Sequence, residues 1–182
     1  VMADLVINHA SSRGLWFANF LKDKSPGKNY FFTVNNKFDV SKVVRPREHR
    51  LLKKIKLFNK NQYLWRTFSP DQIDLNFKNP KVLMRFLKII INSLNHGVRI
   101  FRLDAIAFLW KEHDTNCLNL PQTHEVVKLI RTLLNAFSKN TLLITETNLP
   151  NLENLSYFGE NDEANAVYNF ALPPLLLWTL VM

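Results

Sequence analysis

The sequence has little cysteine, little glycine and no long apolar run, and each shortage excludes a class of protein. One cysteine, Cys117, cannot form an internal disulfide framework and is typical of a reducing compartment, so we expect a cytoplasmic location. Four glycines leave no room for a glycine-rich, low-complexity segment. No stretch of 18 consecutive apolar residues occurs, which predicts no membrane partner. Val1 lies directly in an apolar run, without the charged region of a secretory signal.

The remaining composition is that of a globular domain with a basic balance. Hydrophobic residues make up 47% and charged residues 21% of the 182 residues, which suffices for one domain with its own core. The net charge of +9 raises the alternative of a nucleic-acid-binding protein. The positive charge is concentrated between Lys42 and Lys60, so we favour a solvated basic face and expect no nucleic-acid partner.

Apolar patterns alternate between strand and helix periods along the chain. Strand-like runs lie at Val1 to Ile7, Val98 to Leu103, Leu142 to Thr145 and Ala166 to Phe170. Helices are predicted over Ser11 to Asp23, from Asn79-Pro80 to Gly97, from Pro121 to Phe137 and from Leu172 onward. This alternation predicts an α/β protein with a parallel sheet. So few strands cannot close a barrel, which leaves an open sheet or a piece of something larger.

Residues 25 to 75 break this alternation. They show little periodicity, and we interpret them as a loop-rich insertion. Short strands or irregular excursions are predicted at Tyr30 to Val34 and at Lys37 to Val44, and a further strand at Tyr63 to Phe68.

Two carboxylates come directly after strand-like runs. Asp104 follows the run at Val98 to Leu103, and Glu146 follows the run at Leu142 to Thr145. Ends of adjacent parallel strands would bring the carboxyl groups within several ångströms, and a pair about 5 Å apart suits retaining glycosyl transfer. Strand alternation places Arg102 on the same side as Asp104, where its charge would keep that carboxylate ionised. The alternative, equally open on spacing, is that both carboxylates are strand-end caps or salt-bridge partners.

Three further side chains are candidates for substrate binding. His9 follows the first strand-like run and could donate to a sugar hydroxyl, although a structural histidine is the more common finding. Arg45 and Arg47, on either side of Pro46, could clamp an anion or belong to a plain basic loop. The sequence has no compact cluster of histidine and cysteine, so we predict no metal site.

Three ordered motifs resemble successive signature regions of the α-amylase superfamily of glycoside hydrolases. They are DLVINH (Asp4 to His9), FRLDAIAFLWKE (Phe101 to Glu112) and ITETN (Ile144 to Asn148). The segments FDVSKVVRPR, TFSPDQIDLNFKNP, LPQTH, ENLSYFG and VYNFALPPLLL narrow the resemblance to the sucrose phosphorylase subfamily, in the branch that contains glucosylglycerate phosphorylases. The resemblance implies a partial TIM (β/α)8 barrel, from the third to the sixth strand. Residues 1–24 and 76–182 would form the barrel fragment, and residues 25–75 the domain B insertion.

The same resemblance implies roles for individual residues. Asp104 would be the nucleophile and Glu146 the general acid/base, with Arg102 orienting Asp104. Further substrate-binding positions would be His9 in the donor-glucose subsite, Phe68 and Gln72 beside the bound sugars, and Arg47 near the phosphate or acceptor. Sucrose, glucosylglycerate and glucosylglycerol all remain open as donors. Inorganic phosphate would be the co-substrate, with no cofactor and no metal.

The sequence departs from the family pattern in two respects. The third catalytic carboxylate of the family has no counterpart, and Glu48 to Gln62 is unusually rich in lysine. We therefore expect a fragment of low stability whose partner is a complementary fragment or a second copy. The alternative to an enzyme is a catalytically inactive remnant that only binds sugar or such a fragment.

Overall fold

The computed structural model describes residues 1–181, and among them lie nine strands and five α-helices. The strands are β1 (Met2–Leu5), β2 (His9–Ser11), β3 (Thr33–Val34), β4 (Leu52–Leu57), β5 (Lys60–Trp65), β6 (Gln72–Asp74), β7 (Ile100–Leu103), β8 (Leu142–Thr145) and β9 (Ala166–Val167). The helices are α1 (Leu15–Leu21), α2 (Pro80–Asn95), α3 (Pro121–Phe137), α4 (Asn151–Leu155) and α5 (Leu172–Val181).

A four-stranded parallel sheet in the order β1-β7-β8-β9 forms the centre of the molecule. Helix α2 connects to β7 and helix α3 connects to β8, as in repeated strand–helix units. The prediction of an α/β fold with a partial barrel is confirmed, because four consecutive barrel strands lie side by side and the sheet does not close. The core lies between the sheet and the helices, with Phe101 and Leu143 of the sheet and Ile90 and Ile130 of the helices fully buried.

The two long helices form where capping and apolar periodicity predict them. The side chain of Asn79 accepts a hydrogen bond from the backbone N–H of Lys81, with Pro80 at the first helical position of α2. Gly97 follows α2 with a φ of 85°, a conformation that favours glycine. The stripe that α2 buries against the core consists of Val82, Phe86, Leu87, Ile90 and Leu94.

Three smaller expectations need correction. β1 spans only Met2–Leu5, and His9 lies within the separate strand β2, which pairs antiparallel with β6. α1 spans Leu15–Leu21, inside the range predicted for it, with Gly14 as its N-cap. β9 has only the two residues Ala166–Val167, and the hydrogen bond from the Tyr168 N–H to Thr145 O is the last that follows it toward β8.

Residues 25–75 are more regular than the sequence predicted. β3, β4 and β5 form an antiparallel sheet in the order β3-β5-β4, with a small core of its own around Phe32 and Trp65. Most of the segment nevertheless lies outside any strand, including the whole of 35–51, as expected for a loop-rich insertion, but no strand was predicted at β4. Its sequence LKKIKL lacks the alternation of apolar and polar residues that predicts a strand, because Lys53, Lys54 and Lys56 are all exposed. β4 is an edge strand, where lysines oppose pairing with other chains. The division into 1–24 with 76–182 and 25–75 stays a prediction.

The helix α5 is apolar and exposed on all sides. None of its described residues is buried, and its leucines and Trp178 are about half exposed or more. No helix within residues 1–181 combines the length and the apolar character needed to cross a membrane.

Candidate active site

The ends of β7 and β8 bring the two predicted carboxylates together. Leu103 and Thr145 are register partners, so the next residues along the two strands, Asp104 and Glu146, are neighbours at one edge of the sheet. Hydrogen bonds continue the sheet to these residues, from the Asp104 N–H to Leu5 O at 3.2 Å and from the Glu146 N–H to Leu103 O at 3.0 Å. The carboxyl ends of the parallel strands therefore position both groups, as the sequence predicted.

One guanidinium group connects three carboxylates at this edge. Arg102 Nη1 lies 3.2 Å from Asp104 Oδ1, and Nη2 lies 3.0 Å from Glu146 Oε1. Nη1 also forms a short ion pair with Asp4 Oδ1. The Arg102 side chain is 15% exposed and packs over the ring of Tyr168, 5.3 Å from its centroid. Arg102 is thus contacted by groups from all four strands of the parallel sheet or from the residues directly after them.

The backbone after Asp104 supplies a further contact to Glu146. Ala105 adopts a φ of 48°, which is uncommon for a residue other than glycine, and its N–H donates to Glu146 Oε2 at 2.9 Å. Such conformations cluster at functional sites, where surrounding contacts maintain them. Each oxygen of Glu146 therefore has a protein donor, one from Arg102 and one from Ala105.

The electrostatics of Asp104 and Arg102 follow from this crowding. Burial and the neighbouring Glu146 carboxylate raise the pKa of Asp104, and together they outweigh the opposing charge of Arg102. Burial alone would lower the pKa of Arg102, but the hydrogen bond to Asp4 and the charges of Glu146, Asp4 and Asp104 raise that pKa overall. The site therefore holds a permanent cation beside a carboxyl group whose proton is bound more tightly than usual.

A cavity of about 430 Å³ lies against Glu146. Its walls come from several parts of the chain, and they include Arg47, Phe68, Ala105, Phe108, Leu118, Asn148 and Phe170. Arg47 is the one basic side chain in this lining, and Glu146 is the one acidic side chain. A concave cleft with apolar walls and a few polar groups is the usual form of a small-molecule site.

Of the other predicted substrate-binding residues, Phe68 lines this cavity and His9 contacts Phe68. The rings of His9 and Phe68 pack with centroids 5.4 Å apart, and Phe68 in turn packs against Phe108 at 5.3 Å. His9 is 7% exposed, and burial lowers its pKa. Gln72 lies in β6, and neither it nor His9, Arg102 or Asp104 is among the residues that line the cavity. The structure thus brings Asp104, Glu146 and Arg102 into contact. It places Arg47 and Phe68 in the wall of the same cavity as Glu146, whereas Gln72 does not line that cavity.

Sequence reasoning missed two residues of this arrangement. Asp4 contacts Arg102 because the two are register partners in β1 and β7. Tyr168, directly after β9, supplies the ring beneath Arg102. The position of Asp4 within DLVINH was a usable signal, since parallel alignment of the first two strand-like runs places it opposite Arg102. Across residues 1–181, no group of three or more His, Cys, Asp or Glu side chains is arranged to hold a metal ion.

Comparison with known proteins identifies relatives over almost the whole chain. The chain is 46% identical over 177 residues to a glucosylglycerate phosphorylase from Spirochaeta thermophila, covering 97% of this chain and 30% of the relative. It is 41% identical to a glucosylglycerate phosphorylase from Escherichia coli, covering 97% of this chain and 32% of the relative. The crystal structure of sucrose 6F-phosphate phosphorylase from Thermoanaerobacter thermosaccharolyticum superposes with a TM-score of 0.83 at 26% identity, covering 99% of this chain and 39% of that one.

The chain spans about a third of the length of the curated relatives it matches. Within that span the match is nearly continuous, and the family model of the alpha-amylase catalytic domain matches residues 1–178. The chain therefore belongs to the alpha-amylase catalytic-domain family.

Proposed function

We propose that the chain carries the nucleophile and the acid/base of a retaining sugar phosphorylase, which transfers a glucosyl group to inorganic phosphate. The observation that supports this most is the placement of Asp104 and Glu146 at the ends of adjacent parallel strands, with Arg102 bridging them at 3.2 and 3.0 Å. Two neighbouring carboxyl groups are the chemical requirement for retaining glycosyl transfer. The names of the relatives, glucosylglycerate phosphorylase above all, support phosphate as the acceptor.

In the first step, a carboxylate oxygen of Asp104 attacks the anomeric carbon and the glycosidic C–O bond breaks. Glu146 gives its proton to the leaving oxygen, so the aglycone departs as a neutral alcohol and Glu146 becomes ionised. Glu146 has to exchange one of its contacts, to Arg102 or to the Ala105 N–H, for the substrate oxygen. Arg102 orients Asp104 during the attack.

In the second step, a phosphate oxygen attacks the anomeric carbon of the glucosyl ester. The bond to Asp104 breaks, the phosphate proton passes to Glu146, and α-glucose 1-phosphate leaves with its configuration retained. Arg47, the basic side chain of the cavity that Glu146 also lines, is suited to hold the phosphate. Phe68 and His9 would bound the donor glucose, and Gln72 keeps its role beside the sugars as a prediction. The reaction balances with phosphate as co-substrate, without a cofactor or a metal.

The donor we favour is glucosylglycerate. Its leaving group carries a carboxylate, and Arg47 offers a charge partner for such an anion in the cavity beside Glu146. Sucrose and glucosylglycerol are neutral and would leave this charge without a substrate partner until phosphate enters. The prediction of a cytoplasmic location is consistent with phosphate and sugar phosphates as reactants.

The test is release of α-glucose 1-phosphate by the purified chain with phosphate and either glucosylglycerate or sucrose. Asp104→Asn should lower any turnover by about 10⁴-fold, because the attacking oxygen loses its charge. Asp23→Asn is the matched control, because Asp23 pairs with Lys28 on the surface and asparagine tolerates its φ of 55°. Turnover that survives Asp104→Asn would refute the assignment.

The alternative of an inactive remnant predicts a different result in the same samples. It predicts sugar binding, seen as a change in tryptophan fluorescence, with no glucose 1-phosphate from either donor. The chain spans about a third of its relatives, so absence of turnover by the wild type would favour this alternative.

A further inference from the structure

Lys111 and Asp74 form a fully buried ion pair outside the carboxylate site. Lys111 Nζ lies 2.6 Å from Asp74 Oδ2, and the two side chains are 2% and 0% exposed. Nζ also donates to Asn8 Oδ1 at 2.9 Å and lies 3.4 Å from Leu109 O, so three acceptors surround the ammonium group. Asp74 accepts further hydrogen bonds from Asn8 Nδ2 and from the N–H and hydroxyl of Thr67, at 2.7 to 3.0 Å. The pair is therefore saturated with partners.

The partners come from segments that are distant in sequence. Asn8 follows β1, Thr67 follows β5, Asp74 ends β6 and Lys111 lies beyond β7. The pair and its partners thus connect Thr67 and Asp74 of residues 25–75 to Asn8 and Lys111, which lie beyond the ends of β1 and β7. Loss of either charge would leave the other uncompensated in the interior, which is strongly unfavourable.

The same network reaches His9. His9 is next to Asn8 in sequence and is the register partner of Asp74 in the β2–β6 pair. Asn8 Nδ2 lies 3.5 Å from His9 Nδ1, at the limit of a hydrogen bond. The His9 ring packs on Phe68, which lines the cavity beside Glu146. A chain of direct contacts therefore connects the ion pair to the wall of that cavity.

The charges of the pair also act on the His9 ring. Burial lowers the pKa of His9 most strongly, while Asp74 raises that pKa and Lys111 lowers it. Because the two charges of the pair act in opposite directions, burial has the largest effect on the pKa of His9, and this favours a neutral imidazole at neutral pH. A neutral imidazole has one donor and one acceptor nitrogen, which suits recognition of a hydroxyl group.

We infer that Lys111, through its buried pair with Asp74, is a positioning residue that fixes the His9 and Phe68 rings at the wall of the cavity beside Glu146. The reading of that wall as a sugar subsite rests on the proposed function, whereas the placement of the two rings does not. Lys111 does not touch the cavity itself. Its effect on ligands would pass entirely through the two rings.

The test uses NMR of the His9 ring in the wild-type chain, Lys111→Met, Asp74→Asn and the double variant. The wild type should show a nuclear Overhauser effect between His9 and Phe68 and a His9 pKa below the ordinary 6.5. Lys111→Met should raise the His9 pKa and weaken the Overhauser effect, because the cation is lost while Asp74 stays charged. Asp74→Asn should lower the His9 pKa further. Lys78→Met is the matched control, because Lys78 forms a half-exposed pair with Glu112.

The double variant keeps the test decisive if a single variant does not fold, because it removes both buried charges at once. It should fold and lose the Overhauser effect. Unchanged His9 signals in every folded variant, or a wild-type His9 without contact to Phe68, would overturn the inference.

Sugar binding separates this inference from the proposed function. Lys111→Met should weaken the affinity for the glucosyl donor about tenfold, the usual effect of losing one hydrogen bond to a fixed group. A chain without any glucose 1-phosphate release but with the expected His9 signals would count against the proposed function alone. If turnover is as expected but the His9 signals do not change in the Lys111 and Asp74 variants, only the inference about Lys111 is contradicted.

Discussion

Arg102 and Asp4 lie opposite each other on the neighbouring parallel strands β7 and β1, and their side chains form an ion pair beside Asp104 and Glu146. Asp4 is half exposed, whereas Arg102 is largely buried. The guanidinium therefore has two inner carboxylate partners and one outer partner. Its removal and the removal of Asp4 should have very different consequences.

We predict that Arg102→Leu lowers the free energy of unfolding by about 3 kcal/mol, because three carboxylates lose the cation that they share. Asp4→Asn should cost no more than about 1 kcal/mol, since the Asp4 carboxylate is half in water and asparagine can still accept from Arg102. Urea titrations of both variants measure the difference. Equal losses would mean that Arg102 owes its position to Tyr168 or to packing rather than to Asp104 and Glu146.

Asp104 should reduce stability at neutral pH. Burial and Glu146 raise its folded pKa above the ordinary 3.8, so the folded chain holds this proton more tightly than the unfolded chain. Stability is therefore lost as pH rises from about 3.8 through the folded pKa. Asp104→Asn should raise the melting temperature at pH 7 and have little effect below pH 4.

Asp71 provides the opposite case. Hydrogen bonds from Ser12 and Ser11 lower its pKa, so its contribution to stability is present at neutral pH and is lost as pH falls through the folded pKa. Asp71→Asn should lower the melting temperature at pH 7. A parallel shift in the two variants would contradict the electrostatic assignment of Asp104.

His9 should make the fold sensitive to mild acid. Because burial lowers its folded pKa, the unfolded chain binds a proton near pH 6.5 that the folded chain does not. Stability is thus lost as pH falls below about 6.5, until the folded pKa is reached. His9→Gln should flatten the stability profile between pH 7 and pH 5. An unchanged profile would show that the ring accepts its proton as readily in the folded chain.

The carboxylate pair could be predicted from sequence because its geometry is local. A strand-like run ends at Leu103 and another at Thr145, and parallel pairing of the two runs is enough to bring Asp104 and Glu146 together. Strand alternation also predicted that the Arg102 side chain lies on the same side of its strand as Asp104. The β4 strand could not be predicted, because an edge strand needs little apolar surface and its lysines mask the period.

The Lys111–Asp74 pair was inaccessible to sequence reasoning for a different reason. A lysine and an aspartate without a shared motif carry no signal that they are buried, since such residues are usually exposed. Only the return of the chain through β6 brings Asp74 beneath Asn8 and Lys111. The same holds for the cavity, whose walls join Arg47 to Asn148 across a large sequence separation.

The apolar helix α5 should make the chain self-associate. Leu177 and Trp178 are 64% and 67% exposed, and contiguous apolar surface of this kind is rare on a stable monomer. The edge strands β1 and β9 of the parallel sheet add unpaired backbone groups on either side. We therefore expect a concentration-dependent mass in light scattering and a broad thermal transition.

Replacement of Leu177 and Trp178 by glutamate should shift the chain toward monomer at a given concentration, because charges on this helix oppose its burial between copies. Leu152→Glu is the matched control, since Leu152 is 83% exposed but lies on α4. If α5 drives the association, only the α5 variant lowers the mass. The far-ultraviolet circular dichroism of the two variants should stay equal, because neither substitution is expected to change the helix content. A wild-type chain that is monomeric and melts in one sharp two-state transition would contradict the expectation of a fragment with low stability. Association that both variants reduce equally would assign it to general apolar exposure rather than to α5.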